Sequence, residues 1–253
     1  MAMSRFAIVA ALEREVHALV KKWASIQREH QGRDFTFFEK DELIVVCGGI
    51  GVESARRAAE AVIALYQPAL VHSVGFAGAL DSTLRVGDIF APSVVVDARD
   101  GSRTQLDFGD GTLVTFMAVA APGQKAKLAQ AYGARAVDME AAAVAAAAHA
   151  HGIGFGVTKV ISDELDFEMP EMARFIGMDG QFKSASFIRF AAVRPWLWKR
   201  VAILARNSNH AARMLGQRLE HFSMDLRKSE TSAATRPAAP MAAVNGLPAE
   251  GRK

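Results

Sequence analysis

Residues 6–23 read FAIVAALEREVHALVKKW and place two hydrophobic patterns next to each other. The first seven residues, FAIVAAL, are apolar without interruption, which is typical of a strand buried on both faces of a parallel sheet. The rest is mostly polar, and its four large apolar residues share one face of a helix, namely Val16, Leu19, Val20 and Trp23. A buried strand followed at once by an amphipathic helix predicts an α/β fold.

The same alternation continues along the chain. Strand-like runs recur at 35–40, 42–48, 69–78, 88–97, 113–121 and 154–163, with helical patterns at 53–66 and 123–133 and an alanine-rich helix after VDME. This order predicts a three-layer α/β/α fold around a central, mainly parallel, twisted mixed sheet. From about Ser223 the composition shifts to Ala, Pro, Ser and charged residues. We therefore expect one domain over 1–222 and a disordered tail over 223–253.

Composition excludes several classes of protein. The 253 residues carry 30 basic and 27 acidic side chains, and a net charge of +3 is too small for the dense basic face of a nucleic-acid-binding protein. Cys47 is the single cysteine, so no intrachain disulfide can form and a reducing compartment fits. The first apolar run is short and acidic residues follow it, which is unlike a signal peptide or a membrane span. A cytoplasmic protein is the expectation.

Glycine-rich segments follow two predicted strands at the ends where parallel sheets bind ligands. They are GGIG (48–51), before a helix, and GFAG (75–78). Glycines let the backbone approach a ligand, and the start of a helix offers free N–H groups. Both segments are also consistent with plain tight turns. Neither matches the GxxxxGK[ST] phosphate loop, so use of a nucleoside triphosphate is not expected.

Three carboxylates stand at or beside these strand ends. Asp163 ends VTKVISD, where a lone buried acid is costly unless it is hydrogen-bonded or functional. Glu15 follows the first strand, with helix capping as its alternative role. Glu140 precedes the alanine helix, whose small residues favour close packing. His149 and His151 lack metal-ligand spacing, and neither a metal nor a cofactor is expected.

Taken together, these segments resemble the 5′-methylthioadenosine/S-adenosylhomocysteine nucleosidases of the purine nucleoside phosphorylase superfamily. The resemblance covers most of 6–165 and is carried by AALEREV, GGIGVESA, SVGFAGAL, LRVGDI, VDMEAAAVA and VISD, in that order. It implies cleavage of an N-glycosidic bond, in which the leaving base needs an acid, the attacking water needs a base, and the ribose hydroxyls need a partner.

The resemblance also implies individual roles. Asp163 would help to protonate the purine and favours a 6-amino base such as adenine, Glu15 would activate water, and Glu140 would bind the ribose hydroxyls. Met139 would pack under the sugar. Further substrate-binding positions fall in the loops and at the last strand, at Ile50, Gly51, Phe76, Ala77, Gly78 and Ser162.

Two positions bear on the nucleophile. Superfamily phosphorylases hold phosphate partly with an arginine before the glycine of the third loop and a serine or threonine after it, and here these positions are Ser73 and Phe76. Phosphate carries nearly two negative charges and favours guanidinium partners, and their absence at these positions favours water as the nucleophile. The residue that stacks on the base stays open among Phe116, Met117 and Val119.

The segment 175–221 departs from the nucleosidases and resembles the end of the hopanoid-associated phosphorylases. Trp196 and Trp198 stand among basic residues, as in helices at membrane surfaces. A weak membrane-surface contact through 189–206 therefore competes with an ordinary helix that covers the core or a dimer surface. The first hypothesis is a nucleosidase for 5′-thioadenosines. The alternatives are a nucleosidase or phosphorylase for an adenosylated hopanoid, a phosphate-dependent purine nucleoside phosphorylase, and a ligand-binding protein without activity. The resemblance implies a homodimer.

Overall fold

The computed structural model describes residues 5–168, 171–177 and 179–234 of the chain. Strands and helices alternate through most of this length. In chain order the elements are β1 (Phe6–Ala10), α1 (Glu13–Val20), β2 (Ala24–His30), β3 (Arg33–Lys40), β4 (Leu43–Cys47), α2 (Val52–Tyr66), β5 (Leu70–Ala79), β6 (Ile89–Phe90), β7 (Val94–Asp97), β8 (Arg103–Gln105), β9 (Thr112–Thr115), α3 (Pro122–Tyr132), β10 (Ala134–Asp138), α4 (Ala141–Ala150), β11 (Gly154–Asp163), a 3₁₀ turn (Ala173–Phe175), α5 (Ser184–Ala192) and α6 (Pro195–Ala234).

The strands form one mixed sheet with β5 at its centre. Within the described residues its order is β2-β3-β4-β1-β5-β10-β9-β7-β8, and β11 pairs with β5 and β6. The inner pairs β1–β4, β1–β5 and β11–β5 are parallel. Because these strands are covered on both faces, their sequences are continuously apolar rather than alternating.

Helices cover both faces of the sheet, which confirms the predicted three-layer α/β/α fold. On one face, the small residues Ala58, Ala59, Ala143 and Ala147 pack α2 and α4 onto the inner strands. On the other, α1 and α6 contribute Val16, Leu19, Ala211, Leu215 and Leu219 to a second core cluster. The alanines of α4 are thus explained by close packing.

The predicted strand boundaries were less accurate than the predicted alternation of strands and helices. The run 88–97 is divided into β6 and β7, because Pro92 lies between them and cannot donate to a ladder. The run 113–121 is extended only to Thr115, and β2, an exposed polar strand, was not predicted. Its sequence, ASIQREH, lacks an apolar face because it lies at the sheet edge.

The C-terminal helix α6 continues past Ser223, where the sequence predicts a tail, and ends at Ala234. Residues 235–253 lie outside the described part of the chain, so the division into a domain and a disordered tail stays a prediction. None of the helices in the described residues combines the length and the apolarity needed to cross a bilayer.

Candidate active site

The site begins at a gap beside the central strand. One edge of β5 pairs with β1 up to Ser73 and with β10 only from Gly78. The opposite edge pairs with β11 as far as Gly78. Residues 74–77 therefore have no ladder partner on the β1 side, and the segments that follow β1, β4 and β10 converge there.

Glu15 lies over the glycine at one end of this gap. Its Oε2 accepts hydrogen bonds from the backbone N–H groups of Ala11 (3.0 Å) and Leu12 (2.9 Å). A Cβ atom on Gly75 would stand 3.2 Å from Oε2, and the φ angle of Gly75 is +142°, so both space and conformation require glycine. Burial raises the pKa of Glu15, although the N–H of Leu12 and the charge of Lys159 act in the opposite direction.

Glu140 connects the loop after β4 to the start of α4. Its Oε1 accepts from the N–H of Gly51 (2.9 Å) and its Oε2 from the N–H of Met139 (3.2 Å). Burial raises the pKa of Glu140 to about 7, against the favourable charge of Lys159, and the neighbouring carboxylates of Asp138 and Glu15 raise it further. Glu15 and Glu140 thus belong to one electrostatic cluster.

A buried lysine completes this cluster. Lys159 of β11 is fully buried, and its Nζ lies 2.8 Å from Asp138 Oδ2. The two groups form an ion pair whose angles do not meet those of a hydrogen bond. Within the described residues, this Nζ therefore has no hydrogen-bond partner. Burial alone would lower the pKa of Lys159, but the carboxylates of Asp138, Glu140 and Glu15 raise it above its ordinary value.

Asp138 is a structural member of the cluster. Besides the ion pair, its Oδ1 accepts from Thr115 Oγ1 (2.6 Å) and its Oδ2 from the N–H of Ala141 (2.8 Å). Thr115 Oγ1 in turn accepts from the N–H of Ala142 at 3.0 Å. These contacts satisfy two N–H groups in the first turn of α4 and fix the position of Glu140.

Asp163 lies at the other end of the gap, beside Gly78. Its Oδ2 accepts from Lys125 Nζ at 2.5 Å, and its Oδ1 accepts from Ser162 Oγ at 2.7 Å. A Cβ atom on Gly78 would stand 2.9 Å from Asp163 Oδ2, so this glycine too makes room for a carboxylate. Lys125 Nζ also donates to the carbonyl oxygen of Glu164 at 2.6 Å.

A cavity of about 130 Å³ opens beside Asp163. Its wall combines predicted site residues with the segment before α3, namely Ala77, Gly78, Ala118, Val119, Ala120, Lys125, Val137, Asp138, Met139, Ser162 and Asp163. Of the three residues left open for base stacking, Val119 lines this cavity. Phe116 packs against a core cluster under α3, and Met117 is 64% exposed.

The remaining predicted binding residues lie at the rim of the gap. The N–H of Ile50 donates to the carbonyl oxygen of Gly180 at 2.8 Å, and the N–H of Gly51 is the donor to Glu140. These two N–H groups of the GGIG loop therefore bind protein groups. The Phe76 ring packs with the α1–α6 core cluster, and the Arg14 guanidinium carbon lies 5.3 Å from its centroid.

Sequence reasoning missed both buried lysines. Lys159 had a usable signal, since it is the single charge inside the apolar run GFGVTKVIS. Lys125 had none, because Lys125 and Lys127 look alike in the amphipathic pattern of α3. Within the described residues, no group of three or more His, Cys, Asp or Glu side chains is arranged to hold a metal ion.

Comparison with known families agrees with this architecture. The family model of the phosphorylase superfamily matches residues 5–128 and 110–192. The chain belongs to the phosphorylase superfamily. Among curated members, the 5′-methylthioadenosine/S-adenosylhomocysteine nucleosidase of Marinomonas sp. (strain MWYL1) is 32% identical over 98 residues, which cover 37% of this chain and 42% of the relative. The matched stretches span about two fifths of the length of the three curated relatives.

Solved structures of the superfamily share the fold over most of the chain. Futalosine hydrolase of Helicobacter pylori superposes with a TM-score of 0.61 at 18% identity, covering 86% of this chain and 98% of that one. The 5′-methylthioadenosine/S-adenosylhomocysteine nucleosidase of the same organism, with butyl-thio-DADMe-Immucillin-A, gives a TM-score of 0.61 at 17% identity and coverages of 87% and 100%. At these identities the likeness establishes the fold alone.

Proposed function

We propose that this phosphorylase-superfamily protein is an enzyme that hydrolyses the N-ribosidic bond of a 5′-modified adenosine and releases adenine. One observation carries the proposal. Gly75 and Gly78 of a single strand each leave room for one buried carboxylate, that of Glu15 and that of Asp163. Two residues lie between these glycines, and three steps along an extended strand place them about 10 Å apart. This spacing suits a nucleoside whose sugar lies near Glu15 at one end of the gap and whose base lies near Asp163 at the other end.

The proposed mechanism assigns the three carboxylates to separate tasks. Asp163 faces the purine and transmits a proton to it as the C1′–N9 bond breaks and its electron pair moves to the base. Glu15 takes a proton from the water that attacks C1′. Glu140 accepts hydrogen bonds from the ribose hydroxyls, and its negative charge favours the cationic sugar of the transition state. Met139 packs under the sugar.

Electrostatics favour water over phosphate as the nucleophile. The sugar end places the carboxyl groups of Glu15, Asp138 and Glu140 around a single ammonium group, that of Lys159. Phosphate carries nearly two negative charges and would meet net repulsion there. At Ser73, the position of the phosphorylases' arginine, the buried Oγ offers only a neutral donor. Two positive charges act on these carboxyl groups within the described residues: Lys159, buried among them, and Arg14, which lies over the Phe76 ring and acts on Glu15. Both charges are therefore already shared with protein carboxyl groups.

The substrate follows from both the aspartate and the curated relatives. These relatives are 5′-methylthioadenosine/S-adenosylhomocysteine nucleosidases, and methylthioadenosine and adenosylhomocysteine are therefore the first compounds to assay. We place the enzyme in the cytoplasm, in nucleoside metabolism and methionine salvage, and we propose a homodimer as its assembly. No cofactor is needed by the proposed chemistry.

The experiment incubates the full chain with methylthioadenosine, adenosylhomocysteine and adenosine, with and without phosphate, and identifies both products. Free adenine together with a free reducing sugar supports hydrolysis. A sugar 1-phosphate formed only with phosphate would make the protein a phosphorylase. Tight adenine binding without turnover would instead support a ligand-binding protein, and it would contradict the proposed enzyme.

The surface around α5 and α6 favours a second candidate, the same cleavage on an adenosylated hopanoid. Four large apolar side chains are mostly exposed there, Ile188 (64%), Val193 (72%), Trp196 (71%) and Trp198 (56%), beside Arg189, Arg194, Lys199 and Arg200. Tryptophan next to basic side chains suits weak contact with an anionic membrane surface, from which a lipid-tailed substrate would come. Adenine release from adenosyl lipid in liposomes, with no release from methylthioadenosine, would select this candidate.

A further inference from the structure

Lys125 has no task in the mechanism above, although it is one of the most deeply buried side chains in the protein. Its residue is 1% exposed, and the side chain extends from α3 to the cavity beside Asp163. It donates to Asp163 Oδ2 at 2.5 Å and to the carbonyl oxygen of Glu164 at 2.6 Å. The ammonium group is therefore held in place by two acceptors on the strand end that carries Asp163.

Burying an ion pair in a protein core costs free energy because both charges lose their hydration. Removing two charges from water costs several kcal/mol for each ion, and well-packed apolar residues of the same volume are often at least as stable. The contacts of Asp163 indicate a role beyond packing. Lys125 donates to its Oδ2 and Ser162 donates to its Oδ1, so both carboxyl oxygens act as acceptors. Both oxygens of Asp163 therefore already have protein donors, and the nearest of these donors with a positive charge is Lys125.

Given the nucleoside cleavage proposed above, on which this inference rests, we propose that Lys125 is the proton source behind Asp163. Lys125 acts through the aspartate and is in that sense a positioning residue. Its ammonium passes a proton to Asp163 while Asp163 passes one to the purine. The pair delivers a proton to the leaving base without Asp163 ever having to be protonated before substrate binds.

The step balances in atoms and charge. The C1′–N9 electron pair moves onto the purine, a purine ring nitrogen gains the proton relayed by Asp163, and Lys125 becomes a neutral amine. The attacking water gives its hydroxide to C1′ and its other proton to Glu15. When the products leave, Lys125 regains a proton from solvent and Glu15 releases one, so the net reaction is nucleoside plus water to adenine plus sugar.

The test compares two leaving groups in the Lys125→Met variant. One substrate is methylthioadenosine, or the adenine nucleoside that the wild type cleaves best. The other is the matching 5′-methylthio riboside of 4-nitrophenol, whose anion leaves without a proton. We expect kcat for the adenine nucleoside to fall about 10²–10⁴-fold, the usual contribution of a general acid. The loss on the nitrophenyl riboside should stay within about 10-fold.

Lys127→Met is the matched control, because Lys127 lies on the same helix and is exposed. It should leave both rates unchanged. Equal losses on both substrates in Lys125→Met would mean a merely structural role and would overturn the inference, as would a small loss on both. A wild type that cleaves neither substrate would instead count against the proposed function itself.

A double-mutant cycle covers the case in which Lys125→Met folds poorly. The combination of Lys125→Met with Asp163→Asn leaves a neutral buried pair, so it should be the better-folded protein, as judged by circular dichroism and thermal unfolding. If the proton passes from Lys125 through Asp163, the double variant should be no slower than Asp163→Asn alone. Additive losses in the cycle would show that the lysine acts independently of the aspartate.

Discussion

The two ends of the gap beside β5 hold their carboxylates in different ways. At the Gly75 end, Glu15 and Glu140 accept hydrogen bonds from backbone N–H groups, and burial raises the pKa of both. At the Gly78 end, Asp163 accepts from the ammonium of Lys125 and the hydroxyl of Ser162. The first end suits groups that take up a proton or accept from hydroxyls. The second suits a group that passes a proton on.

In the proposed mechanism, one strand supports two opposite kinds of acid–base chemistry. The type of side chain cannot explain the different proposed roles, since Glu15, Glu140 and Asp163 all carry carboxyl groups. The hydrogen-bond partners differ, and they come from different parts of the chain: the segments after β1, β4 and β10 at one end, and α3 and β11 at the other. Placing chemically similar carboxyl groups in different environments is a common device of enzymes that need both an acid and a base.

The largest expected effect comes from Glu15→Gln. The amide keeps the size of the side chain but cannot accept a proton from water. We expect kcat for the adenine nucleoside to fall about 10²–10⁴-fold with little change in thermal stability. In contrast to Lys125→Met, this loss should be as large on the nitrophenyl riboside, because the water still needs a base. Steady-state kinetics on both substrates measure it, and a loss confined to the adenine nucleoside would contradict the division of the gap into two ends.

Lys159→Met tests the sugar end through stability. The variant removes the buried cation from a cluster of three carboxyl groups and leaves Asp138 buried without its ion pair. Breaking a buried pair in this way costs about 3–5 kcal/mol of unfolding free energy. Urea denaturation measures the loss, and Asp138→Asn added to Lys159→Met should recover much of it. A loss below about 1 kcal/mol would show that the ion pair does not hold the cluster together.

Much of this arrangement can be predicted from the sequence, and the reasons for the rest are physical. Local patterns such as FAIVAAL and the alanine run indicate burial and periodicity, which is why the α/β/α fold was predictable. The three carboxylates could be placed at strand ends because each follows or ends a strand. Lys125 could not, since its burial depends on how α3 packs against the end of β11, and one sequence contains no signal for that contact.

The two glycines provide a matched pair of smaller changes. Gly75→Ala places a Cβ where φ is +142° and beside Glu15, so we expect a loss of about 1–3 kcal/mol in unfolding free energy. Gly78→Ala has no such backbone strain, but its Cβ would stand 2.9 Å from Asp163 Oδ2 and 3.3 Å from Lys125 Cε. Its main effect should be on kcat, about 10-fold or more, because a small displacement of a catalytic group is costly.

Thermal unfolding and kinetics on both glycine variants separate the two expectations. If Gly78→Ala is the less stable protein and Gly75→Ala the slower enzyme, the contrast drawn between strain at one end and crowding at the other is wrong. Gly123→Ala is a suitable control, since a Cβ there would meet nothing within 4 Å.

The smallest expected effect is the pH dependence that Glu140 adds to stability. Burial raises its pKa from the ordinary value of 4.5 to about 7 in the folded protein, so the folded state keeps a proton that the unfolded state releases between these pH values. This contribution to stability is complete below about pH 4.5 and is lost as pH rises through about 7. Glu140→Gln keeps an acceptor for the N–H of Gly51 and has no proton to lose.

The variant should therefore match the wild type near pH 4.5 and exceed its unfolding free energy by about 1–3 kcal/mol at pH 8. Urea denaturation across this range measures the difference, with Glu13→Gln, on the exposed side of α1, as a control that should follow the wild type. A constant offset at every pH would mean that Glu140 is already ionised in the folded protein. The sugar end would then hold three full negative charges around Lys159, and a phosphate nucleophile would be disfavoured still more strongly.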